Sequence, residues 1–272
     1  MHRFVFLSVL LVTLFVIVLP GCAGNPYHSS NTIYRQQAKA FAKELRSLPP
    51  ADSLNDGPHT AGTTNFNLRK PNYVIIHHTA QNSCEQTLKT FTTAASKVSA
   101  HYVICKDGTI HHMLNDYLRA WHGGIAKWGG STDINSNSIG IEIDNNGFES
   151  FTVDQLNSLL RLLAHLKTTY NIPTANFIGH ADIAPGRKVD PNRNFPWHEL
   201  STKGFGYWYD TTFTQVPPNF NPMQALRIIG YNTSDSAAAV YSFKLHFVQA
   251  DSSRAITAAD EKILADLLPK YQ

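Results

Sequence analysis

The chain has 272 residues, of which 43% are hydrophobic and 16% are charged, against about 25% charged in typical soluble proteins. This composition excludes a disordered or collagen-like chain, and the length predicts one or two domains. Lysine and arginine total 23 against 20 aspartates and glutamates, a surplus too small for a nucleic-acid-binding protein. Thirteen histidines in so weakly charged a chain suggest a metal site, because imidazole is the commonest metal ligand, with scattered surface histidines as the alternative.

The N-terminus has the features of a secretory signal. An uncharged apolar run over residues 4–19 follows an arginine and is slightly short for a membrane-spanning helix. The run ends in Leu-Pro-Gly-Cys at residues 19–22, which resembles the bacterial lipobox, whose cysteine is lipidated and becomes the mature N-terminus. We therefore expect a signal peptide over residues 1–21, palmitate on Cys22 and an N-terminal lipid anchor in the membrane. An uncleaved anchor helix is the alternative.

The residue after the lipobox cysteine bears on location. Ala23 stands there rather than aspartate, and by analogy with lipoprotein sorting this favours the outer membrane of a Gram-negative cell, with the protein facing the periplasm. Residues 22–68 are predicted to form a tether and an N-terminal helix over residues 32–48, which two prolines stop.

Strands and helices alternate in the next segment, residues 69–210. Leucines at three- and four-residue steps predict a helix that Thr152 or Asp154 caps and that runs to about Tyr170. An apolar stretch at 176–179 then leads into a long loop. The predicted strands cover residues 73–79, 100–105, 110–114 and 138–144, with an Asp-Gly hairpin between the second and third. This alternation predicts an α/β domain.

Three short helices are predicted over residues 218–272. The first begins at Asn221, followed by a proline at the first helical position, and ends at Gly230. The second carries Val240, Phe243 and Phe247 on one stripe. We expect these helices to form a separate small module.

Two cysteines, Cys84 and Cys105, remain beyond the lipobox. An extracytoplasmic setting allows them to pair, but their spacing does not establish that they are close. A disulfide and two free buried thiols both stay open.

A zinc hydrolase needs three protein ligands and an open position for water. His77 ends a buried strand, where a ligand is held rigidly, and strand alternation puts His78 on the opposite face. His180 and Asp190 bracket a proline-containing loop that can bring both side chains to one point. For each of these residues alone, a structural role is the commoner one.

Five segments in a fixed order carry a family resemblance. They are VIIHHTA (74–80), SAHYVICKDGTIHHML (99–114), AWHGG (120–124), NSIGIEIDN (137–145) and GHADIAPGRKVDP (179–191). They resemble zinc-dependent N-acetylmuramoyl-L-alanine amidases of the type-2 family, which is related to the peptidoglycan recognition proteins. The order of lipobox, amidase domain and C-terminal helices is similar to that of an outer-membrane lipoprotein amidase.

The resemblance implies a mixed β-sheet flanked by helices and one Zn²⁺ per chain. His77, His180 and Asp190 match the zinc ligands, Glu142 the catalytic acid/base and Lys188 the residue that supports the developing oxyanion. The strand pattern agrees for Glu142, which lies opposite a row of isoleucines, where an acid is costly unless it lines a cleft. A solvent-facing glutamate and a solvated loop lysine are the alternatives.

Three further residues match substrate-binding positions of the family: Trp121, His122 and His101. The alternatives are a packing tryptophan with an exposed histidine for the first two, and a hydrogen-bonded core histidine for His101. The helices over 218–272 resemble three-helix peptidoglycan-binding domains, with a purely structural role as the alternative.

The resemblance predicts a zinc hydrolase that cleaves the amide bond between N-acetylmuramic acid and L-alanine in cell-wall turnover. Its partners would be peptidoglycan and muropeptides, with no obligate protein partner. A non-catalytic peptidoglycan-recognition protein of the same fold is the alternative, although such relatives typically lack a ligand. A glycosidase would need two carboxylates across a cleft, whereas Glu142 and Asp144 lie on one strand face, about 7 Å apart.

Overall fold

The computed structural model describes residues 24–46, 63–65, 68, 70–213 and 215–272. The chain divides into two compact units, Met1–Gly62 and Thr63–Gln272. The predicted signal peptide and Cys22 lie outside the described residues. Within the described ranges, no helix is long and apolar enough to cross a membrane.

In the first unit, the described residues form one helix, α1, at His28–Arg46. It begins four residues before the predicted start, after a turn in which Asn25 Oδ1 accepts the N–H of Tyr27 at 2.9 Å. Lys43 and Arg46 lie in its last turn, where positive charge opposes the negative end of the helix dipole. None of its residues is buried within the chain.

The second unit contains a five-stranded sheet with helices between and after the strands. The strands are β1 Tyr73–His78, β2 Tyr102–Ile104, β3 Ile110–His112, β4 Ser138–Ile143 and β5 Phe177–Gly179. The helices are α2 Cys84–Thr92, α3 Val153–Tyr170, α4 His180–Ile183, α5 Trp197–Thr202, α6 Pro222–Ile229, α7 Ser236–Phe243 and α8 Ala258–Leu267. A π-helical turn, Lys244–Val248, continues α7.

The strand order is β3-β2-β4-β1-β5. Four neighbouring strands run parallel, and only β3 pairs antiparallel, through its hairpin with β2. The expected mixed sheet flanked by helices is confirmed. Helix α3 begins after Thr152, which forms a capping box with Gln155, so Thr152 is the cap and not Asp154.

One face of the sheet packs against α3. Alternation in β1 and β4 turns the side chains of Val74, Ile76 and the three β4 isoleucines toward this helix. Leu159, Leu163 and Leu166 of α3 are buried against them, which accounts for the leucine spacing in the sequence.

The other face shares its core with the C-terminal helices. Ile75 and Ile178 lie in one cluster with Leu226, Phe243 and Leu264. These helices therefore belong to the same compact unit as the sheet: the expected three helices are present, packed against the sheet rather than apart from it. The sequence showed that each helix has an apolar stripe, but a stripe does not reveal which surface covers it. A peptidoglycan-binding role for these helices stays a prediction.

Buried Asp182, in α4, ties the C-terminal helices to the chain that follows β5. Its Oδ1 accepts the hydroxyl of Tyr231 at 2.8 Å, and its Oδ2 lies 2.8 Å from Nδ1 of His246. Oδ2 also accepts the N–H of Gly179 at 2.7 Å. The ring of His246 stacks on Trp197 with 3.9 Å between centroids. These bonds anchor the start of α4, whose first residue is His180.

Tyr231→Phe is expected to lower the free energy of unfolding by about 1–3 kcal/mol, because it removes the donor that serves a buried carboxylate oxygen. Tyr241→Phe is the matched control, since that half-buried ring lies beside Arg254 at the surface. Urea unfolding of both variants checks the difference. Equal effects of the two substitutions would contradict the proposed anchoring.

Cys84 and Cys105 form a disulfide, with 5.3 Å between their Cα atoms. Cys84 opens α2, and Cys105 directly follows β2. The sequence left open a disulfide or two free thiols, and the structure has the disulfide.

Candidate metal centre

The parallel strands bring the candidate residues to one edge of the sheet. The register of β1 and β4 places His77 directly beside Glu142. Ile76 pairs with Gly179 of β5, so His180 follows at the same edge. His77 and Glu142 lie on the face that carries Ile75, because side chains two residues apart share a face. This face of the sheet is apolar at Ile75, which the C-terminal helices cover. It is polar at the ends of β1 and β4, where His77 and Glu142 lie.

Three atoms of the predicted ligands converge at this edge. His77 Nδ1 lies 2.9 Å from His180 Nδ1 and 3.1 Å from Asp190 Oδ2. His180 Nδ1 lies 3.0 Å from the same carboxylate oxygen. All three residues are buried. The structure therefore brings together the three residues that the sequence predicted, although Asp190 is 113 positions from His77.

The hydrogen bonds around His180 show that a cation fits here. Nε2 of His180 lies 3.1 Å from the carbonyl oxygen of Gly123, which can only accept, so Nε2 is a ring nitrogen that carries a proton. When the ring is neutral, Nδ1 presents a lone pair to the carboxylate oxygen of Asp190. One acceptor facing another is unfavourable unless a positive charge lies between them.

The donor set matches a zinc site of the hydrolytic kind. Two imidazole nitrogens and one carboxylate oxygen are typical zinc ligands, and a three-residue set leaves a fourth position open. Burial, together with the nearby His180, lowers the pKa of His77 to about 4. His77 is therefore neutral at pH 7, as a metal ligand must be.

Glu142 lies beside the three ligands without being one of them. Its side chain is half-buried, and Oε2 has no hydrogen-bond partner among the described residues. Burial and the negative charge of Asp190 raise the pKa of Glu142 to about 8, against the opposing effect of Lys188. A carboxyl group with a pKa near neutrality in a polar cleft is typical of an acid/base catalyst.

Lys188 is half-buried in the loop between His180 and Asp190. Its positive charge lowers the pKa of His77 and of Glu142, so it lies within electrostatic range of both. Its predicted contact with an oxyanion stays a prediction.

The three predicted substrate-binding residues differ in their surroundings. Trp121 is 53% exposed, next in sequence to a residue that contacts His77, and its role stays a prediction. His101 is fully buried, with Nε2 3.0 Å from the carbonyl of Leu118 and Nδ1 accepting the N–H of Gly140 at 3.1 Å. Both ring nitrogens of His101 are therefore occupied by backbone groups, and its predicted contact with substrate stays a prediction.

His122 is also buried, and its predicted contact with substrate stays a prediction. It is only 8% exposed, and its Nδ1 lies 3.1 Å from Nε2 of His77. Burial and the neighbouring His77 lower the pKa of His122 well below its ordinary value. The side chain points into the protein because the chain folds the 120–124 segment over the end of β1.

Two residues that hold this segment were missed in the sequence. Asn135 Oδ1 accepts the backbone N–H groups of His122 and Gly123 at 3.2 and 2.8 Å. Arg187 donates to the carbonyl oxygens of Gly123 and Ile125 at 2.6 and 2.7 Å. The one sequence feature that could have drawn attention to Arg187 was its place directly before Lys188 in a family motif. No sequence feature marked Asn135.

Glu142→Gln is expected to stabilise the zinc-free protein increasingly as the pH rises. The folded-state pKa of about 8 exceeds the ordinary 4.5, so the folded protein binds this proton more tightly than the unfolded chain. The wild type therefore loses stability between these two pH values, whereas glutamine does not titrate. The difference should grow by about 1–3 kcal/mol, given partial solvent screening.

Urea unfolding in chelator at about pH 5 and about pH 8.5 measures this change. Glu199→Gln, at an exposed position of α5, is the control and should show no such trend. A Glu142→Gln difference that is the same at both pH values would contradict the burial of an ionisable group.

The fold and the site together define a domain with a candidate metal centre at the edge of a mixed sheet. Residues 67–193 match the model of a family described as N-acetylmuramoyl-L-alanine amidase.

Two curated relatives share sequence with this chain. It is 35% identical over 153 residues to the N-acetylmuramoyl-L-alanine amidase AmiD of Escherichia coli (strain K12). This alignment covers 50% of this chain and 54% of AmiD. It is 37% identical over 102 residues to the 1,6-anhydro-N-acetylmuramyl-L-alanine amidase AmpD of Haemophilus influenzae, covering 37% of this chain and 55% of AmpD. The chain thus matches about half the length of these relatives.

Solved structures match a larger share of this chain than the two relatives do. AMPDH3 from Pseudomonas aeruginosa superposes with a TM-score of 0.69 at 28% identity, over 82% of this chain and 99% of that one. AmiD from E. coli, in complex with the substrate anhydro-N-acetylmuramic acid-L-Ala-D-gamma-Glu-L-Lys, superposes with a TM-score of 0.68 at 26% identity. This match covers 81% of this chain and 97% of the AmiD chain.

Proposed function

We propose that this chain is a zinc-dependent N-acetylmuramoyl-L-alanine amidase that cleaves the bond between N-acetylmuramic acid and L-alanine in peptidoglycan or muropeptides. The observation that carries the proposal is the convergence of two imidazole nitrogens and a carboxylate oxygen within 3.1 Å of one another, beside a glutamate whose pKa is raised to about 8. The names of the relatives AmiD and AmpD, and the muropeptide in the AmiD complex, support the same reaction.

His77, His180 and Asp190 would hold the zinc. When bound, zinc supplies a Lewis acid that polarises a carbonyl group and makes a water molecule more acidic. Glu142 takes a proton from the attacking water and delivers it to the alanine nitrogen, because an amide nitrogen leaves poorly as an anion. A carboxyl group that titrates near neutral pH can perform both transfers.

Lys188 and Trp121 would act on the substrate directly. The ammonium group of Lys188 stabilises the negative charge that develops on the carbonyl oxygen, which contributes on the order of a few kcal/mol in a site that excludes water. The exposed indole of Trp121 offers an apolar surface beside the site for the muropeptide.

Digestion of purified muropeptides, followed by mass spectrometry, tests this function. We expect free peptides with an N-terminal L-alanine, loss of this product in chelator and its recovery with zinc. Cleavage between sugars would instead show a glycosidase. Binding of muropeptides without any cleavage would show a recognition protein. Activity that survives chelation would contradict the role of zinc.

We further propose that Cys22 carries the lipid that anchors the protein in the outer membrane, facing the periplasm. The support is the lipobox-like sequence at 19–22 after an apolar run. Cys22→Ser should leave a soluble or unprocessed protein on cell fractionation. Unchanged membrane association and processing would contradict lipidation.

A further inference from the structure

The ring nitrogen of His77 that faces away from the three ligands begins a buried chain of hydrogen bonds. Nε2 of His77 lies 3.1 Å from Nδ1 of His122. Nε2 of His122 lies 3.1 Å from Oγ of Ser138, and this hydroxyl donates to the carbonyl oxygen of Ile134 at 2.6 Å. All four residues are buried.

The last member of this chain fixes the direction of every bond. A carbonyl oxygen can only accept, so the single hydroxyl proton of Ser138 is donated to Ile134. Ser138 must then accept from Nε2–H of His122, which leaves Nδ1 of a neutral His122 as an acceptor. His77 therefore donates from Nε2, and its Nδ1 carries a lone pair.

We propose that His122 and Ser138 are positioning residues that lock His77 in the tautomer whose Nδ1 lone pair points at the candidate metal centre. The proposal deepens the proposed function, on which its choice of zinc rests. Groups that fix the tautomer and orientation of a ligand histidine commonly change metal affinity by about 10–100-fold when mutated.

The protein holds His122 in place independently of a metal. A Cβ atom on Gly140 of β4 would overlap the imidazole ring of His122, so glycine provides the space in which this ring lies. Asn135 accepts the backbone N–H of His122 at 3.2 Å. The space at Gly140 thus fits the ring of His122, and Asn135 holds its backbone.

A second carbonyl orients the other ligand histidine. Nε2–H of His180 donates to Gly123, directly after His122 in sequence. Both histidines therefore present Nδ1 to the centre, and the 122–123 segment sets both tautomers.

Zinc affinity and the ¹⁵N spectrum of the His77 ring test the proposal on the full chain without substrate. Affinity is measured by competition with a chromophoric chelator. His122→Phe keeps a ring but removes both hydrogen bonds, and it should weaken zinc binding about 10–100-fold. In the zinc-free wild type, the ¹⁵N spectrum should show His77 protonated at Nε2. Ser138→Ala frees the tautomer of His122 and should give His77 a mixture of both forms.

His101→Phe is the matched control. His101 is a buried histidine that also contacts Gly140 but has no bond to a ligand, so its replacement should lower stability and leave zinc affinity within about twofold. If His122→Phe does not fold, Ser138→Ala provides the same comparison.

Wild-type zinc affinity in both folded variants would overturn the proposal, as would a zinc-free wild type in which His77 is protonated at Nδ1. A wild type that binds zinc but cleaves no muropeptide would contradict the proposed function alone. A wild type that cleaves muropeptides while His122→Phe and Ser138→Ala bind zinc normally would contradict only this inference.

Discussion

Glu142→Gln is expected to lower kcat for muropeptide hydrolysis by about 10²–10⁴-fold, the usual contribution of a general acid/base. Glutamine keeps the size and shape of the side chain but can neither take a proton from water nor deliver one to the leaving nitrogen. Glu142 belongs to β4, beside His77 in the sheet register, and is not one of the three converging ligands. Zinc content should therefore stay at one ion per chain.

The assay pairs hydrolysis rates with zinc content measured on the same protein sample. Glu199→Gln provides the control, because it makes the same chemical change at an exposed position. If Glu142→Gln hydrolysed muropeptides at the wild-type rate, Glu142 would not be the acid/base catalyst. Loss of zinc along with activity would instead make it part of the metal site.

The elements whose residues follow a strict period could be predicted from the sequence. Alternating isoleucines defined β4, and leucines at helical spacing defined α3, while the choice of cap between Thr152 and Asp154 was settled by the structure. These features depend on local chain geometry, which the sequence carries directly. His77 was identified as a ligand by the family resemblance, with which its place at the end of a buried strand agrees.

The contacts that join distant segments could not be predicted in the same way. His122 and His101 both occur in family-like motifs, yet one contacts a ligand and the other is hydrogen-bonded within the core. The difference arises from where the 120–124 segment crosses β1 and β4, and no periodicity records that crossing. The anchoring of Tyr231 to Asp182, 49 residues away, was missed for the same reason.

The side chains at the polar edge of the sheet, where β1 and β4 end, lower the stability of the metal-free fold. Glu142 has a buried oxygen with no partner in the described structure, and three potential metal ligands face one another with acceptor atoms. Each arrangement is unfavourable in a folded chain by itself. Both become favourable when a cation and a reacting molecule occupy the site. The rules that buried polar atoms are paired and that acids stay in solvent therefore do not hold at this edge.

Asp190→Asn is expected to abolish stabilisation by zinc and to reduce hydrolysis below detection, while leaving the zinc-free protein folded. The wild type should gain about 3–4 kcal/mol of unfolding free energy at zinc concentrations 100 to 1,000 times the Kd. The variant should gain none, because a neutral amide is a poor zinc ligand. Thermal unfolding during a zinc titration, with the muropeptide assay alongside, measures both effects.

The zinc-free form of the same variant tests whether Asp190 supports the fold. The Asp190 oxygen lies 3.0 and 3.1 Å from two ring nitrogens, and an amide N–H in its place can donate to their lone pairs. Zinc-free Asp190→Asn should therefore be at least as stable as the zinc-free wild type, with exposed Asp154→Asn as the control. A marked loss of stability would mean that Asp190 supports the fold rather than a metal, since only a site built for a cation improves when its negative charge is replaced by a donor.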